Sequence, residues 1–82
     1  MITRQEIEER VKKLFIEELE FDAENISPDA LLKEDIGVDS LDYVDIVVLV
    51  EREFGFRIKA EDMTSIKTFS QFCDYVESHL QE

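Results

Sequence analysis

The sequence has 82 residues and a formal net charge of -12, from 21 acidic and nine basic residues. A domain of this size buries only about 60% of its unfolded surface, so an enclosed catalytic cleft is not expected. Its negative field repels nucleic acid and attracts basic proteins. The single cysteine, Cys73, excludes an intrachain disulfide, and no Cys/His cluster has zinc-type spacing.

The first predicted helix spans residues 4 to 19. Thr3-Arg4-Gln5-Glu6 has the residue order of a capping box, which marks a helix start. The apolar residues that follow recur at helical spacing on one face, which is expected to pack on the core. These residues are Ile7, Val11, Leu14, Phe15 and Leu19.

Residues 20 to 38 are predicted to form a long loop with one helical turn. Ser27-Pro28 combines a preferred N-cap residue with the proline favoured at the first helical position. The apolar pattern is too short for more than a turn or two. The expected anchors of this loop on the core are Leu31, Leu32 and Ile36.

The second predicted helix begins after Asp39 and ends at Phe54. The carboxylate of Asp39 can cap free N–H groups of the first turn, and Asp42 complements the positive end of the helix dipole. Gly55 supplies a left-handed C-cap.

The remaining residues predict two further helices. A short one lies within Lys59–Thr64, and a last one opens at the capping box Thr68-Phe69-Ser70-Gln71. The last helix is expected to point Phe69, Phe72, Cys73, Val76 and Leu80 inward. The fold class is therefore all-α, a small bundle of three main helices plus one short helix with a long loop between helices one and two, in a single domain over 1–82.

The second helix carries more apolar residues than one core stripe needs. The core row consists of Tyr43, Ile46, Val47, Val50 and Phe54, and a second row beside it of Leu41, Val44 and Val48. Asp42, Asp45 and Glu51 border the second row. Two interpretations remain open: a wide stripe in a small core with solvated acids, or a docking face for a basic partner.

Ser40 lies between carboxylates at the start of this helix. It is a poor catalytic nucleophile, because the only histidine, His79, is far along the chain and no GxSxG elbow is present. A phosphate ester on Ser40 would gain about 0.3–1 kcal/mol at a helix N-terminus. Asp39 and Asp42 would repel it, so an attached group is expected to stay in solvent.

Asp39-Ser40-Leu41, preceded by Asp35-Ile36-Gly37, resembles the DSL motif of discrete, bacterial-type (type II) acyl carrier proteins. The resemblance covers nearly the whole chain. It extends over Ile7–Lys13, Val44–Val47, Glu53–Gly55 and Asp74–Val76.

The resemblance implies a carrier rather than an enzyme, with 4'-phosphopantetheine attached to Ser40 and acyl groups held on it as thioesters. A phosphopantetheinyl transferase would supply the group from coenzyme A. The implied docking residues are Asp39, Leu41, Asp42, Val44, Asp45, Val48 and Glu51. Residues implied to border an acyl-chain cavity are Tyr43, Ile46, Val47, Val50, Ile58, Ile66 and Phe72.

Three residues depart from the pattern of fatty-acid carriers. Arg52 interrupts the acidic run, Lys59 replaces a common proline, and Tyr43 replaces a small residue just past Ser40. Fatty acid biosynthesis is the first hypothesis, and a dedicated carrier for a secondary-metabolite or lipid-modification pathway is the second. A hypothesis of another class is an unmodified acidic adaptor that only binds proteins.

The expected partners are the transferase and acyl-transferring or chain-elongating enzymes with basic patches. Nucleic acid and membrane insertion are not expected, and the sequence, with no recognisable signal peptide, predicts a cytoplasmic monomer. No metal site is expected, since residues 22 to 34 lack the glycine of an EF-hand loop. Cys73 is expected to be a small buried hydrophobe and His79 a solvated residue near the chain end.

Overall fold

The computed structural model describes residues 2–80, which are helical apart from turns, short connections and an isolated bridge between Leu31 and Thr68. The α-helices are α1 (Arg4–Lys13), α2 (Ser40–Phe54), α3 (Ala60–Met63) and α4 (Phe69–Leu80). Two π-helical segments, Leu14–Glu18 and Leu32–Ile36, and a 3-10 turn, Ala23–Asn25, complete the regular structure. The predicted all-α bundle is confirmed.

The first helix begins where its cap predicts. The backbone N–H of Glu6 donates to Thr3 Oγ1 at 3.1 Å, and α1 starts at Arg4. After Lys13 the helix widens, because the N–H of Leu19 donates to the carbonyl of Leu14 at 3.3 Å. The predicted helix of residues 4 to 19 is therefore continuous to residue 18, with a π-helical last turn.

The long connection differs from its prediction in the position of its helical turns. No helix begins at Ser27-Pro28 within the described chain; the turns lie at Ala23–Asn25 and Leu32–Ile36. The reason is a pair of long-range hydrogen bonds. The carbonyls of Pro28 and Ala30 accept from the N–H groups of Ser70 and Phe69, both at 2.9 Å, so they do not continue a helix.

The anchors of this connection also differ in part from the prediction. Leu32 and Ile36 are buried as expected, and Ile26, Ala30 and Val38 are buried with them. Leu31 is 38% exposed, so its predicted role as an anchor is wrong. The N–H of Leu32 donates to the carbonyl of Lys67 at 2.8 Å, and Leu31, one residue earlier, stays at the surface.

The predicted C-terminus of α2 and the predicted start of α4 are confirmed. At the C-terminus of α2, Gly55 adopts φ 83°, the left-handed conformation that favours glycine. At the start of α4, the N–H of Gln71 donates to Thr68 Oγ1 at 3.1 Å, and the N–H of Thr68 donates to Gln71 Oε1 at 3.2 Å. Met63 of the short α3 is fully buried and holds that helix on the core.

The centre of the core is an aromatic cluster joining the first helix to α4. Phe15 packs edge-on against Phe69 and Phe72, with ring centroids 5.8 and 5.7 Å apart. Cys73 is fully buried beside it, and burial raises the pKa of its thiol to about 12. The prediction that Cys73 is a buried hydrophobe is confirmed.

The prediction for His79 is wrong. Its ring stacks on Phe56 at 4.7 Å and on Tyr75 at 4.3 Å, and it is half-buried rather than solvated. The Tyr75 hydroxyl donates to Asp62 Oδ2 at 2.6 Å, which ties α4 to α3. The aromatic stack thus closes the end of the molecule where the loop after α2 meets α4.

Candidate functional site

Ser40 is the first residue of α2 and is exposed. None of the side-chain hydrogen bonds formed among residues 2–80 involves its hydroxyl. The neighbouring side chains are engaged instead with the backbone of the helix start. The Ser40 hydroxyl is therefore accessible for covalent attachment of a group.

The segment before Ser40 is held by a turn and by a buried side chain. Gly37 adopts φ 99°, and the N–H of Val38 donates to the carbonyl of Leu32 at 2.7 Å. Val38 is buried, which ties the chain to the core two residues before Ser40. Val38 is not among the predicted anchors, although an apolar residue just before an N-cap is a known helix-start signal.

Two aspartate side chains accept hydrogen bonds from the free backbone N–H groups around Ser40. Asp39 Oδ1 accepts from the N–H groups of Leu41 at 2.8 Å and Asp42 at 3.2 Å, and Asp42 Oδ2 accepts from the N–H of Asp39 at 3.1 Å. This is a reciprocal capping box, and it places a carboxylate where a helix N-terminus would otherwise bind an anion. A phosphate ester on Ser40 would meet carboxylates there, which favours an arm that extends into solvent.

The second apolar row of α2 lies on the surface. Leu41, Val44 and Val48 are 80%, 67% and 46% exposed. Asp39, Asp45 and Glu51 are exposed around them, and Asp42 is half-buried. The interpretation of this row as part of a wide core stripe is therefore wrong, because the core leaves these side chains in water. The core row is confirmed, with Ile46 and Val50 buried and Tyr43, Val47 and Phe54 half-buried.

A cation borders this acidic surface at a place that the sequence did not indicate. Arg57, in the loop after α2, lies with Nε 3.4 Å from Glu51 Oε2, and both side chains are largely exposed. A surface pair of this kind contributes about 0–1 kcal/mol, so a partner can displace it. Arg52 is exposed on α2, where it interrupts the acidic run as predicted.

Two open grooves flank α2 beside Tyr43, three residues after Ser40. The first has a volume of about 500 Å³ and is lined by Tyr43, Val44, Val47, Val48, Arg57, Ile58, Lys59 and Ala60. The second, of about 310 Å³, lies on the side of the long connection and is lined by Leu31, Leu32, Lys33, Glu34, Tyr43, Ile66 and Lys67.

Only some of the residues predicted to border an acyl-chain cavity line the two grooves. Tyr43, Val47 and Ile58 line the first groove, and Tyr43 and Ile66 line the second. Ile46, Val50 and Phe72 are packed into the core and line neither. The structure thus divides these side chains between two surface grooves and the packed interior.

Other kinds of site find no support in the described part of the chain. Among residues 2–80, no group of three or more His, Cys, Asp or Glu side chains is arranged to hold a metal ion. The helices within the same residues are all too short or too polar to cross a membrane.

A small helical bundle that presents an accessible serine at the start of an acidic helix has the features of a carrier domain. The family model described as the phosphopantetheine attachment site matches residues 9–76, and the chain belongs to this family. Its cofactor is 4'-phosphopantetheine, bound covalently, and its role is to carry acyl or peptidyl groups rather than to catalyse. Carrier domains of this family interact with transferases and synthase enzymes.

Proposed function

We propose that Ser40 carries the 4'-phosphopantetheine and that the chain is a discrete, type II acyl carrier protein of fatty acid biosynthesis. The observation that carries the proposal is the exposed Ser40 hydroxyl at the first residue of α2, within the matched residues 9–76. The terminal thiol of the attached group would hold acyl chains as thioesters. The Asp39–Asp42 capping box supports this role, because its carboxylates favour an extended, mobile arm.

We propose that the outer face of α2 is the docking surface for the transferase and the acyl-transferring or chain-elongating enzymes. Its acidic members are Asp39, Asp42, Asp45 and Glu51, and its apolar members are Leu41, Val44 and Val48. The charges would accelerate the encounter with a basic patch, and the apolar row would lose its contact with water on binding. We expect the carrier to act as a monomer, because one copy presents both the serine and this surface.

The second candidate function is a dedicated carrier for a secondary-metabolite or lipid-modification pathway. The observation that favours it is the position of Tyr43, whose ring lies at both grooves beside α2. An adaptor that is never modified fits less well, because the chain belongs to a family defined by the attachment site.

Mass spectrometry tests the attachment site. The chain is incubated with coenzyme A and a phosphopantetheinyl transferase, and its intact mass and modified peptide are measured. We expect one phosphopantetheinyl group, on Ser40, and none on Ser40→Ala. Ser65→Ala, at another exposed serine, is the matched control and should be modified like the wild type. Modification of Ser40→Ala, or a modified peptide without Ser40, would contradict the proposal.

Reconstituted fatty-acid elongation separates the two carrier hypotheses. The modified chain replaces the usual carrier in a purified bacterial elongation system, and the products are measured by mass. A general carrier should yield long saturated chains. Products that stop at a short length, with attachment to Ser40 intact, would favour the dedicated carrier.

A further inference from the structure

Tyr43 is the residue shared by the two grooves beside α2. The first groove continues along α2 over Val44, Val47 and Val48, and the second runs towards Leu31 and Ile66. Among the lining residues, Tyr43 alone belongs to both sets. Its side chain therefore stands at the boundary between the two grooves.

Packing, rather than polar contacts, holds the Tyr43 ring. The side chain is half-buried and packs against the core, and within residues 2–80 its hydroxyl takes part in none of the side-chain hydrogen bonds. Tyr43 lies three residues after Ser40, so it is about one helical turn from the attachment point. An acyl chain returning from Ser40 towards the protein reaches the neighbourhood of this ring.

We propose that Tyr43 is a specificity-determining residue that limits the length of acyl chain the carrier shelters. The inference rests on the proposed function of Ser40. With the ring in place, a chain that reaches Tyr43 is confined to the groove over Val44, Val47 and Val48, because the phenol closes the passage to the second groove. Longer chains gain no further burial, because stabilisation grows only with the apolar area that leaves water. Without the ring, the two grooves join and a long chain continues towards Ile66.

The test compares acyl chains of increasing length on four proteins. Wild type, Tyr43→Phe, Tyr43→Ala and Val44→Ala, each with phosphopantetheine on Ser40, are loaded on its terminal thiol with saturated chains from butanoyl to palmitoyl. Thermal stability and the rate of thioester cleavage by hydroxylamine are measured for each. Val44→Ala is the matched control, because Val44 lines only the first of the two grooves.

In the wild type and Tyr43→Phe, we expect the melting temperature to rise with chain length and then level off at medium chains. In Tyr43→Ala, the unloaded protein should melt lower, and long chains should add on the order of 5 °C beyond the medium ones. Hydroxylamine cleavage of the long-chain thioester should slow in the same variant. Val44→Ala should show a smaller rise that levels off at the same length as the wild type.

The inference would be overturned if the melting temperature depended on acyl-chain length equally in wild type and Tyr43→Ala. It would also be overturned by a plateau that shifts in Val44→Ala as much as in Tyr43→Ala. If Tyr43→Ala does not fold, Tyr43→Thr opens the same passage with a smaller loss of packing, and the same comparison applies. Failure of the proposed function is distinguishable, because the mass of the modified peptide reports attachment to Ser40 before any stability measurement.

Discussion

The α1–α4 side of the molecule and the outer side of α2 differ in how many of their side chains have partners within the protein. On the α1–α4 side, Arg4 donates hydrogen bonds to Glu8 and Asp74 and lies 3.1 Å from Glu77. It also donates to the carbonyl of Ser70 at 3.1 Å. On the outer side of α2, three large apolar side chains lie in water and two open grooves flank the helix.

This difference indicates that the α1–α4 side stabilises the fold and that the outer side of α2 is available for binding. The α1–α4 side contains the packed aromatic cluster and the polar network, so substitutions there should change the free energy of unfolding. The outer side of α2 leaves its apolar groups available to a partner. Because these groups stay in water and the core is thin, the stability of the fold depends on the residues buried on the α1–α4 side. Substitutions on the outer face of α2 should therefore change partner binding more than stability.

The largest expected effect is that of Phe72→Ala. Phe72 is fully buried against Phe15, so we expect a loss of about 3–5 kcal/mol in the free energy of unfolding. Val44→Ala, at a residue 67% exposed, should lose less than about 0.5 kcal/mol. Urea unfolding measures both. Comparable losses for the two variants would show that stability is not concentrated away from the α2 face.

Alkaline pH should act on the same buried side. Burial raises the pKa of the Cys73 thiol from 9.0 to about 12, so above pH 9 the unfolded chain loses a proton that the folded chain keeps. The thiol therefore causes no loss of stability below pH 9. As the pH rises from 9 towards 12, the free energy of unfolding falls by about 1.4 kcal/mol per pH unit for one proton.

Cys73→Ala removes this titration, so its unfolding free energy should fall less steeply above pH 9. Burial and the hydrogen bond to Asp62 also raise the pKa of Tyr75, which adds a loss in the same direction above pH 10. Tyr75→Phe therefore identifies the second contribution. Parallel pH curves for wild type and Cys73→Ala would contradict the assignment.

Arg4→Met should cause a smaller loss, about 1–2 kcal/mol, because it removes several charge-assisted hydrogen bonds at a partly buried position. Hydrogen bonding to Asp74 raises the pKa of Arg4, so the charge persists over the whole accessible pH range. The control is Arg10→Met, which removes one exposed pair with Glu53 at 3.4 Å. Thermal unfolding at low and high salt should show a larger loss of stability for Arg4→Met than for Arg10→Met, and the loss for Arg4→Met should depend on salt. Equal losses for the two variants would contradict this account.

The smallest expected effect on stability is that of Asp45→Lys. Asp45 is exposed on α2 and is not part of the capping box, whereas Asp42 is, so reversal at Asp45 tests the docking charge alone. We expect stability to stay level or improve, since the chain carries a net charge of -12. Association with the transferase should slow by about tenfold at low salt, with the difference shrinking at high salt. An unchanged association rate, measured by stopped-flow fluorescence, would remove Asp45 from the docking surface.

Local signals in the sequence were sufficient for the starts of α1 and α4, for both ends of α2 and for the position of Ser40. The caps at Asp39, Gly55 and Thr68 join groups within a few residues of each other, so their geometry follows from residue type and spacing. The second apolar row of α2 was also visible in the sequence. Its exposure was not, since the same pattern suits a wide core stripe.

Only the tertiary structure decided which surfaces face each other. Pro28 and Ala30 direct their carbonyls to α4, His79 stacks on Phe56, and Tyr43 stands between two grooves. Each of these arrangements joins residues far apart in the chain. Periodicity assigns a residue to a face of its own helix, but the element that covers that face depends on how the whole chain packs, which no single segment encodes.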